Sequence, residues 1–262
     1  MPATVDIQEL QVKGYTTVVG IFSQQEVGAM ITVIENAGSS ENADSSHPSF
    51  RRTGDLFAIR RFLQCVPAIQ PLIFTPSFKA LAAKTFGAGY CPVRSIYFDK
   101  PPESNWFVAW HQDLTISVDH KKLVDGFGSW TVKGDQFAVQ PPREILQEMY
   151  TIRIHLDDTD ETNGALRVLP GSHIHGITRY PAVFDGASKA SDGPTASACS
   201  DPSSPTESIC QVPAGGIMIM RPLLQHASSR STAGRRRRVI HIEFSAANLP
   251  GGLQWAERWE VK

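Results

Sequence analysis

No run of about 18 apolar residues occurs in the chain, which leaves no candidate for a membrane-spanning helix. The N-terminus, MPATVDIQELQVKGY, lacks the basic and apolar regions of a signal peptide, so no secretory leader is expected. Cysteine is scarce. Cys65, Cys91, Cys199 and Cys210 stand far apart with no CxxC pair, which argues against a structural zinc site or a disulfide framework and for a reducing, cytoplasmic setting. Charge of one sign is lacking too. With 25 Lys and Arg against 26 Asp and Glu the net charge is −1, so no overall field draws the chain onto nucleic acid. One segment, residues 185–206 (DGASKASDGPTASACSDPSSPT), almost lacks large apolar side chains. It reads as a flexible, solvated insertion between strands; the rival reading is a lid that orders over a ligand.

What is present is an ordinary globular mixture. Hydrophobic residues make up 41% of 262, enough for a sizeable core, and 20 Gly with 18 Pro favour a turn-rich β architecture. A single domain over 1–262 is expected. Early segments read as helices. IQELQVKGY gives a short helical or irregular start before a strand, TTVVGIF. SQQEVGAMITVIENAG has Ser23 as N-cap and Val27, Met30, Ile31 and Ile34 at helical spacing. PSFKALAAKTFG (76–87) has Pro76 at its start and Gly87 at its end. Between these helices, residues 38–55 read as a mobile loop. From residue 92 the period becomes two: VRSIYFDK (93–100), YTIRIHLDD (150–158), GGIMIM (215–220) and RRVIHIEF (237–244) are strands, so the C-terminal two-thirds is mainly β. On the second of these runs, 150–158, alternation places Thr151, Arg153, His155 and Asp157 on one face and Ile152, Ile154 and Leu156 on the other.

The chemistry concentrates in WHQDLTISV (110–118). His111 and Asp113, two apart on a strand or at its end, project to the same side and can share one metal ion. Alone, such a pair is more readily a structural hydrogen bond between His111 and Asp113. His226, in RPLLQHASS just past the IMIM strand, adds a second imidazole. Two histidines and one carboxylate on a β framework match the facial triad that occupies one face of an octahedral ferrous ion and leaves three positions open. The run Arg235–Arg238 could be a solvated or nucleic-acid-binding patch. Strand alternation instead puts Ile240, Ile242 and Phe244 on one face and Arg237, Val239, His241 and Glu243 on the other. If that second face lines a cavity, Arg237 points inward, where its planar fork can hold a carboxylate.

GYTTVVGIFSQQEV, WHQD, LDDTDETNGALRVLPGSH (156–173) and HASSRSTAGRRRR (226–238), with Arg237 eleven residues after His226, carry a resemblance to the phytanoyl-CoA dioxygenase family of Fe(II)- and 2-oxoglutarate-dependent oxygenases over residues 10–246. The resemblance implies a double-stranded β-helix, a cupin-like jelly roll with helices packed outside. It implies that His111, Asp113 and His226 ligate Fe(II), that Arg237 pairs with the far carboxylate of 2-oxoglutarate, and that Ser228 assists there. Many relatives carry Trp where this chain has Arg153, which is expected to hold 2-oxoglutarate or an acidic group on the substrate, or else to form a structural ion pair. Arg94 falls at a pocket-facing position, and His155 and Trp130 are further candidates for substrate contact. Trp106 and Trp110 could join Trp130 in an aromatic wall. His173 and His175 read as part of the PGSH turn rather than as a second metal pair.

The implied activity consumes 2-oxoglutarate and O₂, releases succinate and CO₂, and hydroxylates an unactivated C–H bond of a small molecule, with ascorbate as the reductant in vitro. Halogenating relatives have a small residue where this chain has Asp113, so halogenation is disfavoured, while desaturation, epoxidation and rearrangement stay open. Arg153, Arg94 and Arg221 hint at an acidic group on the substrate, of the kind found among amino acids and specialised metabolites. Neither a nucleic-acid nor a membrane partner is expected. Two rivals stand: a non-catalytic β-helix that binds a ligand and keeps a relic metal site, and a zinc hydrolase, since His/Asp/His also suits zinc.

Overall fold

The computed structural model describes residues 4–39, 50–53, 55–101, 106–133, 136–178 and 206–259. Its strands are β1 (Tyr15–Val18), β2 (Phe50–Thr53), β3 (Asp55–Arg60), β4 (Cys91–Lys100), β5 (Val108–His111), β6 (Ile116–Val118), β7 (Gly128–Lys133), β8 (Gln136–Gln140), β9 (Tyr150–His155), β10 (Leu166–Val168), β11 (Ser208–Cys210), β12 (Ile217–Met220), β13 (His226–Ser228) and β14 (Arg237–Ser245). The helices are α1 (Ile7–Lys13), α2 (Gln24–Ser39), α3 (Phe62–Cys65), α4 (Gln70–Ile73), α5 (Pro76–Phe86) and α6 (Arg143–Glu148). A large antiparallel sheet runs β1-β12-β9-β14-β4-β3-β2 and a small one runs β11-β10-β13-β5. A third, β6-β8-β7, stands beside them. This is the jelly-roll, double-stranded β-helix class, mainly β with flanking helices, that the resemblance implies.

Strand parity builds two cores. Outward residues of the large sheet (Ile152, Ile154, Ile217, Ile219, Ile240, Ile242, Phe244) bury against Val27, Met30 and Ile34 of α2 and Phe78, Leu81 and Phe86 of α5. Inward Met218 and Met220 pack on Leu166 and Val168 of the small sheet. Ser23 starts α2 with a reciprocal capping box: its backbone N–H donates to Glu26 at 2.7 Å and its Oγ accepts from the Glu26 N–H at 3.3 Å. Thr75 caps α5, with Pro76 in the first turn.

Several expectations are corrected. Within the expected loop at 38–55, residues 50–53 are a strand and Asp55 begins another that runs to Arg60, while α2 reaches Ser39; residues 40–49 lie outside the described set. TTVVGIF is strand only as far as Val18. Asp157 leaves the cavity face because β9 ends at His155; its carboxylate instead takes the Arg238 guanidinium at 2.7 and 2.9 Å. The 185–206 segment lies outside the described residues up to 205. No disulfide joins the described cysteines Cys65, Cys91 and Cys210, and among the described residues no helix is long and apolar enough to cross a membrane.

The chain's C-terminal part closes over the outer face of β4 through a buried acid. Glu257, 3% exposed, accepts from the Ser95 backbone N–H at 3.0 Å and from Ser95 Oγ. Burial raises its carboxyl from 4.5 to about 6, against the pull of Ser95 and Arg94. The folded state therefore holds this proton more tightly than the unfolded chain. Its contribution is complete below about pH 4.5 and is lost as pH rises through about 6, a loss of about 2 kcal/mol. Glu257→Gln should flatten that part of the stability profile, measured by urea unfolding across the window; matching wild-type and variant profiles would contradict it.

Candidate metal centre and anion pocket

The centre forms where β5 and β13 pair, with His226 the cross-strand partner of His111. Their rings lie 4.2 Å apart between centroids. Each ring is oriented by the carbonyl two residues before it: His111 Nδ1 bonds the Ala109 carbonyl at 2.8 Å and His226 Nδ1 bonds the Leu224 carbonyl at 2.9 Å. A carbonyl can only accept, so both Nδ1 atoms carry the proton and both Nε2 atoms present lone pairs. Asp113 follows just past the end of β5, its backbone N–H donating to the Pro222 carbonyl at 2.9 Å. Its carboxylate lies 4.0 Å from His111 Nε2 and 3.9 Å from His226 Nε2. Those gaps are too long for hydrogen bonds. They suit donors sharing one ion, since each bond to a borderline divalent metal is about 2.0–2.2 Å. All three ligand atoms fall within 4.8 Å of one another, and Asp113 Oδ2 is buried with no partner.

Electrostatics keep His226 and Asp113 in ligating forms. Burial lowers His226 to about 4, with Asp113 opposing. Burial by itself would raise Asp113, but His226, His241, His111 and Arg94 outweigh it and bring the carboxyl to about 2. At neutral pH His226 is neutral and Asp113 is anionic, as metal binding requires.

The middle residue of HQD has its own task. Gln112 is buried, donates to the Leu223 carbonyl at 2.6 Å and the Gly176 carbonyl at 2.7 Å, and accepts from the Thr178 N–H at 2.9 Å. It thus ties the His111–Asp113 turn to the approach to β13 and to the loop after the PGSH turn. In that turn Ser172 Oγ accepts from the N–H of Gln225, the neighbour of His226, at 2.9 Å. Gln112→Ala would orphan all three backbone groups. We expect a loss of about 2–3 kcal/mol in stability and weaker metal binding, read by thermal melts with and without Fe(II); an unchanged melt would contradict this.

The arginine run is a sorting device. Arg235 reaches Asp160 at 2.6 Å, Arg236 grips Asp99 with two nitrogens at 2.6 and 2.9 Å, and Arg238 grips Asp157. Arg237, 6% exposed, alone of the four forms no ion pair among the described residues, and its Nε and Nη1 lack any partner. Burial, then Arg153, lowers it to about 9, so it remains a cation at neutral pH. Ser228 on β13 is buried nearby; its Oγ donates to the carbonyl of Gly164, the glycine of the TNG turn, at 2.9 Å. Arg153 donates from Nη1 to His241 Nδ1 at 3.2 Å and leaves Nε unpaired; burial lowers it to about 10. His155 bonds Thr159 Oγ1 at 2.8 Å, and its Nε2 is buried without a partner.

Sequence reasoning did not assign the hub that links these groups. Glu243 accepts from Arg94 at 3.1 Å and from His241 Nε2 at 3.2 Å, which completes a buried chain Arg94–Glu243–His241–Arg153. The alternation that placed Glu243 and His241 beside Arg237 was the available signal. Alternation along VRSIYFDK likewise puts Lys100 on the face of Arg94, and Lys100 was also passed over. Arg94 is accordingly engaged through Nη1, which also donates to the Thr115 carbonyl at 3.2 Å, while its buried Nε has no partner. Arg221 points elsewhere, stacked 3.9 Å over the Tyr150 ring. The aromatic wall does not form. Trp110, next to His111 on the strand, faces the other way and lies 5.4 Å under Arg167, Trp106 sits by Lys100, and Trp130 packs into the cluster of Ile116, Val118 and Val139. His173 bonds the Gln11 carbonyl at 3.2 Å and serves the turn.

The profile of the phytanoyl-CoA dioxygenase (PhyH) family matches residues 10–239. No curated protein matches the chain. Among solved structures it resembles SnoK, a non-haem α-ketoglutarate-dependent carbocyclase from nogalamycin biosynthesis, at 16% identity and TM-score 0.61, covering 91% of this chain and 82% of that one. AviO1 from Streptomyces viridochromogenes Tue57 aligns at 17% identity and TM-score 0.60 over 94% of both chains. EctD from S. alaskensis, solved with 2-oxoglutarate and 5-hydroxyectoine, aligns at 15% identity and TM-score 0.64 over 91% of this chain and 74% of its own. At such identities the likeness is one of fold. Fold, triad and family profile together define a non-haem iron, 2-oxoglutarate-dependent oxygenase. The chain belongs to the phytanoyl-CoA dioxygenase family, whose profile spans most of its length.

Proposed function

We propose that this chain, as a single domain over 1–262, couples oxidative decarboxylation of 2-oxoglutarate to oxidation of an unactivated C–H bond in a small-molecule substrate, with hydroxylation as the outcome. The reading is supported by two unmet needs among the buried groups of the sheets. Three convergent donors include an orphan carboxylate oxygen, and among the described residues the buried Arg237 has no anion although its three neighbours in the run each have one. The donor set of two imidazoles and one carboxylate fits a ferrous ion with open positions. The orphan guanidinium fits the far carboxylate of a dicarboxylic 2-oxo acid.

When bound, iron supplies the redox chemistry that splits 2-oxoglutarate and O₂ into succinate, CO₂ and one oxygen atom for the substrate. The protein's share is positional. His111 and His226 are held in the ligating tautomer by Ala109 and Leu224. Asp113 would supply the third protein ligand, the position a halide would otherwise need. Arg237 and Ser228 set the depth at which the co-substrate seats, and Arg153, fixed through His241 and Glu243, gives the cavity a further cation. That cation supports a substrate bearing an acidic group, with His155 and Trp130 as further contact candidates. SnoK is a carbocyclase, whereas EctD was solved with a hydroxylated compound. Within one fold the outcome thus follows how the substrate's C–H bond is presented.

A panel of acidic and neutral metabolites, assayed with Fe(II), ascorbate and 2-oxoglutarate, tests the reading. Substrate-dependent succinate with a product heavier by one oxygen atom is expected. Activity supported by zinc and independent of 2-oxoglutarate would overturn it in favour of a hydrolase.

A further inference from the structure

Arg237 is not the only buried cation at this point of the large sheet. Lys100 is its Cα partner in the β14/β4 ladder. Both are buried, at 1% exposure for Lys100 and 6% for Arg237. Lys100 Nζ donates to the Ser229 carbonyl at 2.7 Å and lies 5.5 Å from the Trp106 ring centroid. Among the described residues, neither cation forms an ion pair with a carboxylate. Like charges facing each other across a ladder repel, and each also loses its hydration. Burial, then Arg237 and Arg230, lowers Lys100 to about 8. A fold that tolerates such a pair is built around an anion it does not itself contain.

The TNG turn leaves space at this point. Gly164 has φ +83°, and a Cβ there would lie 2.8 Å from the Ser229 carbonyl oxygen, 3.1 Å from Lys100 Nζ and 3.4 Å from Ser228 Oγ. The ammonium, the Ser228 hydroxyl and the Ser229 carbonyl therefore converge where only glycine allows it. We propose that Lys100 is a second cationic grip on the far carboxylate of 2-oxoglutarate, opposite Arg237; the inference rests on the 2-oxoglutarate reading above. An ammonium has three donors. One is spent on Ser229, and the others can meet the carboxylate edge that the planar arginine fork leaves uncovered. The two cations together make the negative charge at that end of the co-substrate the main determinant of its selection.

The test uses the full chain loaded anaerobically with Mn(II) and titrated calorimetrically with two probes. One is 2-oxoglutarate. The other is 2-oxopentanoate, which has the same keto-acid end but no second carboxylate. Lys100→Gln removes the charge while retaining a donor for the Ser229 carbonyl, and Lys100→Met removes both. We expect Lys100→Gln to weaken 2-oxoglutarate by about 10- to 100-fold, the worth of one charged hydrogen bond, and to leave 2-oxopentanoate within about 2-fold. Lys100→Met should do the same, and it carries the test if the glutamine variant does not fold. Unchanged 2-oxoglutarate binding in the folded variant would overturn the inference. So would equal losses for both probes, which would make Lys100 a holder of the Ser229 carbonyl. A wild-type protein that binds neither probe would defeat the broader reading, an outcome distinct from those two.

Discussion

Asp113→Ala should cost the protein its Fe(II) site. The two histidines keep their orientation, because Ala109 and Leu224 hold them independently of the carboxylate. Even so, the only anionic donor of the cluster disappears. Losing an outer-shell partner alone typically costs about 10- to 100-fold in metal affinity, so removal of a direct ligand should exceed about 100-fold. Succinate release should fall to background with it. Anaerobic Fe(II) titration of the folded variant checks the first statement and a succinate assay checks the second. Wild-type affinity in the variant would mean that the convergence of His111, Asp113 and His226 is structural. His226→Ala should behave alike, with the added cost of a cavity at a buried position.

Arg237→Met should act in two opposite directions. In the unloaded protein it removes a buried guanidinium whose Nε and Nη1 have no partner. Replacing a buried charge by an apolar side chain of similar length is often neutral or stabilising by about 1–4 kcal/mol, so the thermal midpoint should hold or rise. With the metal bound, the same change should weaken 2-oxoglutarate by about 30-fold or more, since losing one partner of a buried charge pair costs about 2 kcal/mol at least. Fe(II) affinity should stay near the wild-type value, because Arg237 touches none of the three ligands. A lower melting point together with unchanged 2-oxoglutarate affinity would show that Arg237 supports the fold and that another cation meets the co-substrate. Arg236→Met makes the contrast: it strands Asp99, which is 1% exposed, so it should only destabilise.

The sequence made some of this legible for identifiable reasons. Period-two patterns of five or more residues, as in β9 and β14, gave both the strands and their faces, and so predicted that one arginine of four would turn inward. The HQD motif and the downstream histidine were legible as chemistry. Their meeting was not, because the His111–His226 pairing depends on β5 and β13 lying side by side, and those strands are only four and three residues long. The carboxylates that claim Arg235, Arg236 and Arg238 come from positions 75 or more residues away, beyond any local pattern. Asp157 was misplaced because alternation cannot show where a strand stops. Helices α3 and α4 span four residues each, too short for a helical period to appear. The supposed wall of Trp106, Trp110 and Trp130 neglected the alternation that served elsewhere: beside an inward His111, Trp110 had to point out.

The central claim is that one cavity holds a ferrous ion at its mouth and the tail of 2-oxoglutarate at its inner end. An anaerobic calorimetric titration of the wild-type chain with 2-oxoglutarate, in the presence and absence of Fe(II), tests it most directly. The account predicts one Fe(II) per chain, and tight 2-oxoglutarate binding only after the metal is in place, abolished by Asp113→Ala and weakened by Arg237→Met. Binding of 2-oxoglutarate that ignores both the metal and Arg237 would contradict it.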